Sequence, residues 1–161
     1  MTIKTGDKVP AGTFTIMKKE GPGALSTDEL FKGRKVVVFS VPGAFTPTCA
    51  KQHLPGFVQQ ADALKKKGID AVACMSVNDV FVMDAWGKSA SAGDKVLMLA
   101  DGNGDYAKAL GLTMDASGFG MGLRAQRFSM LVDNGVVKQL NIEESPGLCT
   151  VSSAVHILGM I

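Results

Sequence analysis

The run Val36-Val37-Val38-Phe39-Ser40-Val41 constrains this chain more than any other segment. It is continuous, apolar and rich in β-branched residues, which is how a strand buried on both faces reads. Such a strand needs helices above and below it. Pro42-Gly43-Ala44-Phe45-Thr46-Pro47 then forms a compact loop, and a helix is expected from about Thr48 to Lys67, interrupted at Pro55-Gly56. Gly68 ends it, and Ile69 to Val77 forms the next strand. Strand, helix and strand in this order predict a right-handed crossover with parallel strands.

The remaining elements extend this unit. Ala11 to Lys18 is an early strand, Gly21-Pro22-Gly23 a turn, and Ser26 with Glu29 a capping box opening a short helix that Gly33 closes. Asp79 to Lys88 is a helix, Val96 to Ala100 a strand, Asp101 to Gly104 a turn, and Tyr106 to Gly111 a short helix. Phe119 to Arg124 is glycine-rich and gives no clear element. Arg127 to Val132 and Val136 to Ile142 read as two strands joined at Asn134-Gly135, a strong hairpin signal. A last helix starts near Ser152. The sum is an α/β chain with a mixed central sheet and helices on both faces, in a thioredoxin-like topology. Its 161 residues suit one domain spanning 1–161.

Charge excludes several function classes. A net charge of +2 argues for neither nucleic acid nor an anionic membrane surface. The basic run Lys65-Lys66-Lys67 suits a helix C-terminus. No apolar stretch is long enough to span a bilayer. The first residues resemble neither a secretory nor an organellar signal. The expected location is the cytoplasm, or mitochondria or another organelle if a leader is removed.

Three cysteines, an odd number, do not suit a disulfide scaffold, and two histidines with no Cys-x-x-Cys do not suit zinc. In Thr46-Pro47-Thr48-Cys49, a hydroxyl residue and a proline mark a helix start, with Thr46 as N-cap and Cys49 in the first turn. Unpaired N–H groups there favour an anion, so a thiol at this place is expected to ionise readily. The site falls at the carboxyl edge of the sheet, where α/β folds place their chemistry. By this pattern alone, an inert buried cysteine remains an equal alternative.

The segment from Phe39 to Cys49, with its Pro-x-x-x-Thr-x-x-Cys pattern at Pro42, Thr46 and Cys49, resembles the active-site segment of the peroxiredoxins. Lys51 to Phe57, Cys74 to Asp79, Ala85-Trp86-Gly87 and Arg127 to Met130 are similar to the type II, or peroxiredoxin-5, subgroup, and the likeness covers nearly the whole chain. It implies a thiol peroxidase for hydrogen peroxide and organic hydroperoxides, with no cofactor and no metal. Cys49 would be the peroxidatic cysteine, passing through a sulfenic acid. Thr46 would hydrogen-bond thiolate and peroxide, Pro42 would shield the pocket, and Arg127 would hold the thiolate and stabilise charge on the oxygens. Gly43, Phe45 and Phe119, with Leu112, are candidates for the substrate pocket, although core packing is the default for the apolar ones. Arg124 either supports the site or, by preference, faces solvent. His53, one turn after Cys49, could reach the rim but is not needed as a base.

The sulfenic acid must be resolved by some thiol. Cys149, in the loop Glu144 to Thr150, is preferred for its accessibility. Cys74 and a one-cysteine cycle remain alternatives. Thioredoxin, glutaredoxin or glutathione would be the reductant, and the resemblance implies a homodimer. A dithiol reductase is disfavoured, because Thr46 stands where it would need a second cysteine. A redox relay passing oxidation from Cys49 to partner proteins is the competing reading.

Overall fold

The computed structural model describes residues 2–161. The central sheet has seven strands: β1 (Thr13–Lys18), β2 (Gly21–Ser26), β3 (Lys35–Ser40), β4 (Ala71–Ser76), β5 (Leu97–Ala100), β8 (Phe128–Asp133) and β9 (Val136–Ile142). Their spatial order is β2-β1-β5-β4-β3-β8-β9. β3, β4 and β5 are parallel, and β1 and β8 pair antiparallel at either side of them. This is a thioredoxin-like α/β fold with a mixed sheet.

The apolar run behaves as its sequence requires. Val36 and Val38 face a core shared with α1 (Thr27–Phe31) and α4 (Asp105–Leu110). Val37, Phe39 and Val41 face a second core shared with α2 (Leu54–Lys66), α3 (Val80–Ser89) and α5 (Ala154–Leu158). Alternation thus sends neighbouring residues to opposite faces, and both faces are covered.

Three local features differ from the sequence reading. The first turn lies at residues 19–20, because Gly21-Pro22-Gly23 is already strand, paired with β1 from Lys18↔Gly21 onward. β2 is an edge strand, where a proline lacking its N–H is tolerated. The glycine-rich stretch holds a small antiparallel ribbon, β6 (Thr113–Asp115) with β7 (Leu123–Ala125), around a 3-10 turn at Ser117–Phe119. Strands of three residues are too short to show alternation.

The third difference is in the helix after the loop. It opens at residue 47, but Cys49–His53 is a π-turn in which the Leu54 N–H reaches the Cys49 carbonyl, and the regular helix starts at Leu54. The interruption therefore precedes Pro55 rather than falling on it. Proline has no N–H and its ring crowds the carbonyl four residues back, so widening the turn before it removes the clash. The Asn134-Gly135 hairpin is as expected, with positive φ at both residues (49° and 81°).

Candidate active site

Cys49 stands in the first turn of its helix, at the end of the loop that follows β3. The Ala50 N–H donates to the Thr46 carbonyl at 2.8 Å, so Thr46 opens the helix through its backbone. Its side chain does not cap it: the hydroxyl donates to the Gly43 carbonyl at 2.7 Å. That bond ties the loop back on itself and leaves the hydroxyl oxygen as an acceptor.

Three separated segments converge on the sulfur. Arg127, at the residue before β8 and only 2 % exposed, donates from Nη2 to Cys49 Sγ at 2.9 Å. Its Nε donates to the Pro146 carbonyl at 3.0 Å, and its Nη1 lies 2.9 Å from His53 Nδ1. His53 is buried too, and its Nε2 lies 2.8 Å from the Ser152 carbonyl. A carbonyl only accepts, so Nε2 carries the ring proton and Nδ1 accepts from Arg127. The wide π-turn holds His53 and Cys49 on one guanidinium. The sequence reading gave His53 at most the rim of the site, and here it is a buried partner of the arginine.

Burial, and secondarily the Arg127 charge, push the His53 imidazolium down to about 3. His53 is therefore neutral across physiological pH. In the unfolded chain it takes up a proton near pH 6.5, so the unfolded state binds more protons than the native one between those values. Stability is then full above about pH 6.5 and falls as pH is lowered, by up to about 1.4 kcal/mol per unit. Glu143 acts in the same direction. Burial opposes its ionisation, but hydrogen bonds from Ser152 and Thr150 outweigh this and hold its carboxyl below the usual range. Urea melts from pH 7 to pH 4 are expected to show a steadily falling midpoint. A flat midpoint over that range would show His53 protonating within the fold.

A cavity of about 280 Å³ opens against Arg127, the residue that holds the sulfur. Pro42, Thr46 and Arg127 line it together with Met114, Phe119 and Met121, and its surface is mainly apolar. Cys49 itself is fully buried, at 0 % exposure. Phe119 is 80 % exposed at the cavity. Phe45 does not line it: its positive φ of 64° turns the ring outward, half-exposed, towards Trp86 at 6.3 Å. Leu112 is buried in the opposite core. Gly43 lies under the cavity, where an added Cβ would sit 2.9 Å from Met121 Cε and 3.1 Å from Thr46 Cγ2. Arg124 does not simply face solvent. It donates to the carbonyls of Met121 (2.9 Å), Val77 (3.1 Å) and Pro42 (3.5 Å), joining the ribbon to the site loop.

The other cysteines differ sharply. Cys74 is fully buried in β4, paired in register with Phe39. Burial and the nearby Cys49 push its thiol well up, the Arg127 charge only partly opposing them. Cys149 is half-buried in the loop between β9 and α5. Burial raises its thiol as well, with the Arg127 charge opposing. Sequence reasoning missed Glu143, Ser152 and the carbonyls of Pro146 and Gly147, which receive bonds from Arg127 and from the Thr48 hydroxyl. It also missed Met114 and Met121, which carry no motif.

The Redoxin family model matches residues 4–158. Peroxiredoxin-2C of Arabidopsis thaliana is 47 % identical over 97 % of this chain and 96 % of its own. The chain belongs to the type II peroxiredoxins. Among other peroxiredoxins, the chloroplastic peroxiredoxin-2E-2 of Oryza sativa subsp. japonica is 51 % identical over 98 % of this chain and 72 % of its own. The crystal structure of reduced Prx3 from Vibrio vulnificus in complex with hydrogen peroxide superposes with a TM-score of 0.94, at 52 % identity over 99 % of both chains. The peroxiredoxin is thus a thiol peroxidase, and its geometry can be read as that of one.

Proposed function

We propose that Cys49 attacks hydroperoxides as a thiolate while Pro42, Thr46 and Arg127 complete the reacting centre. The carrying observation is the 2.9 Å bond from Arg127 Nη2 to Sγ beside a mainly apolar cavity. A guanidinium donor is complementary to a thiolate and to charge developing on an oxygen next to it. The sulfur takes the terminal OH of the peroxide and becomes a sulfenic acid. The O–O bond breaks, and the leaving oxygen departs as alkoxide or hydroxide and gains a proton to give alcohol or water. Thr46, its proton committed to Gly43, offers an acceptor to the peroxide O–H. The apolar walls suit organic hydroperoxides as well as hydrogen peroxide.

Cys149 is our resolving thiol. Its loop position and partial exposure favour it over Cys74, which is held in the core. A disulfide also needs the sulfur free to turn towards its partner; Cys49 is fully buried and held by Arg127, and partial unwinding of the first helical turn would release it in each cycle. Thioredoxin, glutaredoxin or glutathione then returns the electrons. The working form is a cytoplasmic homodimer, with Phe45, Phe81 and Phe119 as exposed rings available for the contact. Transfer of oxidation from Cys49 to partner proteins would use the same intermediate.

Intact mass after sub-stoichiometric hydrogen peroxide tests the reading. The wild-type protein is expected to lose two hydrogens, as a disulfide. Cys149→Ser is expected to gain one oxygen at Cys49 and to turn over only with a small external thiol. If Cys74→Ser, and not Cys149→Ser, blocks the disulfide, the resolving role passes to Cys74.

A further inference from the structure

We propose that Glu143 and His53 are positioning residues that aim Arg127 at the Cys49 sulfur, through a continuous chain of buried hydrogen bonds. The inference rests on the peroxidase reading and adds to it two residues outside the reacting atoms. The chain begins at the Glu143 carboxylate, 7 % exposed at the end of β9. Glu143 Oε2 accepts from the Ser152 N–H at 2.8 Å, the Ser152 hydroxyl at 2.6 Å and the Thr150 N–H at 2.7 Å, and Oε1 accepts from the Thr150 hydroxyl at 3.1 Å. Four donors on one carboxylate fix the backbone of Thr150 to Ser152. The Ser152 carbonyl then accepts from His53 Nε2, which sets the tautomer and leaves Nδ1 as the acceptor for Arg127 Nη1. Arg127 Nη2 faces the sulfur.

The guanidinium is planar, so fixing Nε on the Pro146 carbonyl and Nη1 on His53 leaves Nη2 little freedom. Charge alone would hold an arginine near a thiolate. Direction is what a donor must have when charge develops on a peroxide oxygen rather than on sulfur. The Glu143 carboxylate makes no hydrogen bond to sulfur or to the guanidinium among the described contacts; the residue's own N–H donates to the Arg127 backbone carbonyl at 3.0 Å, a bond that Glu143→Gln leaves in place.

The test compares two reactions of Cys49 in each variant: oxidation by hydrogen peroxide and alkylation by iodoacetamide. Both need the thiolate, but only the first needs a donor aimed at oxygen. For Glu143→Gln and His53→Leu, the peroxide rate constant is expected to fall at least about tenfold more than the alkylation rate constant. His53→Asn, which retains an acceptor where Nδ1 lies but loses the link to Ser152, is expected to recover only part of that ratio. Ser152→Ala, which removes one donor to the carboxylate, serves as a milder lesion should Glu143→Gln fold poorly. Equal changes in both rates, or lowered melting temperatures with the ratio unchanged, would reduce Glu143 and His53 to structural anchors and overturn the proposal. If Cys49→Ser consumed peroxide as fast as the wild type, the peroxidase reading itself would fail, whatever the ratios.

Discussion

Replacing Cys49 with serine is expected to reduce peroxide consumption by on the order of 10⁴-fold or more. The hydroxyl is nearly isosteric, so the fold should survive. Arg127 would still find an oxygen to donate to, and the His53 and Pro146 contacts would persist. What is lost is a polarizable sulfur nucleophile able to attack an O–O bond. Neither remaining thiol can substitute, because neither Cys74 nor Cys149 receives the guanidinium bond that Cys49 does, and burial raises the thiol of both. Stopped-flow mixing of reduced protein with hydrogen peroxide checks this. Retention of more than about one per cent of the wild-type rate would place the attacking group elsewhere.

Replacing Arg127 has the second-largest effect, and lysine and alanine should separate its two parts. Arg127→Lys keeps the charge but loses the planar fork, and its single ammonium cannot reach sulfur, His53 and Pro146 together. The peroxide rate constant is expected to fall by about 10²-fold. Arg127→Ala removes the charge as well and should cost about 10³-fold. It also leaves the buried His53 Nδ1 without its donor, at about 1–3 kcal/mol, whereas the Pro146 carbonyl, on an exposed residue, can turn to water. Peroxide kinetics and urea melts read the two consequences independently. If lysine matched arginine in rate, directionality would have no part in the reaction.

The path to this site was partly legible in the residues. Val36 to Val41 required a doubly covered strand, and the loop from Pro42 to Pro47 put Cys49 in a helical first turn; those steps rest on local pattern. The π-turn was half visible, since Pro55 announced an irregularity, but where the strain is absorbed depends on how Cys49 and His53 meet one arginine. Phe45 looked like a pocket wall because of its neighbours, yet its own backbone turns it away. Glu143, Ser152 and His53 form a chain whose links span 9 and 99 residues, and no window of sequence can show such a pairing. Met114 reaches the cavity from a strand too short to announce itself, and Met121 from the glycine-rich loop before β7.

The three segments that meet at the sulfur have a consequence for the protein's birth on the ribosome. Residues 49, 127 and 146–152 must all be present before the guanidinium is anchored over the thiol. Chains emerge amino-terminus first, and pairings across such separations form late. An incomplete polypeptide therefore carries an ordinary, slow cysteine in place of an armed one. The molecule becomes able to consume oxidant only once residue 152 has emerged and docked against His53.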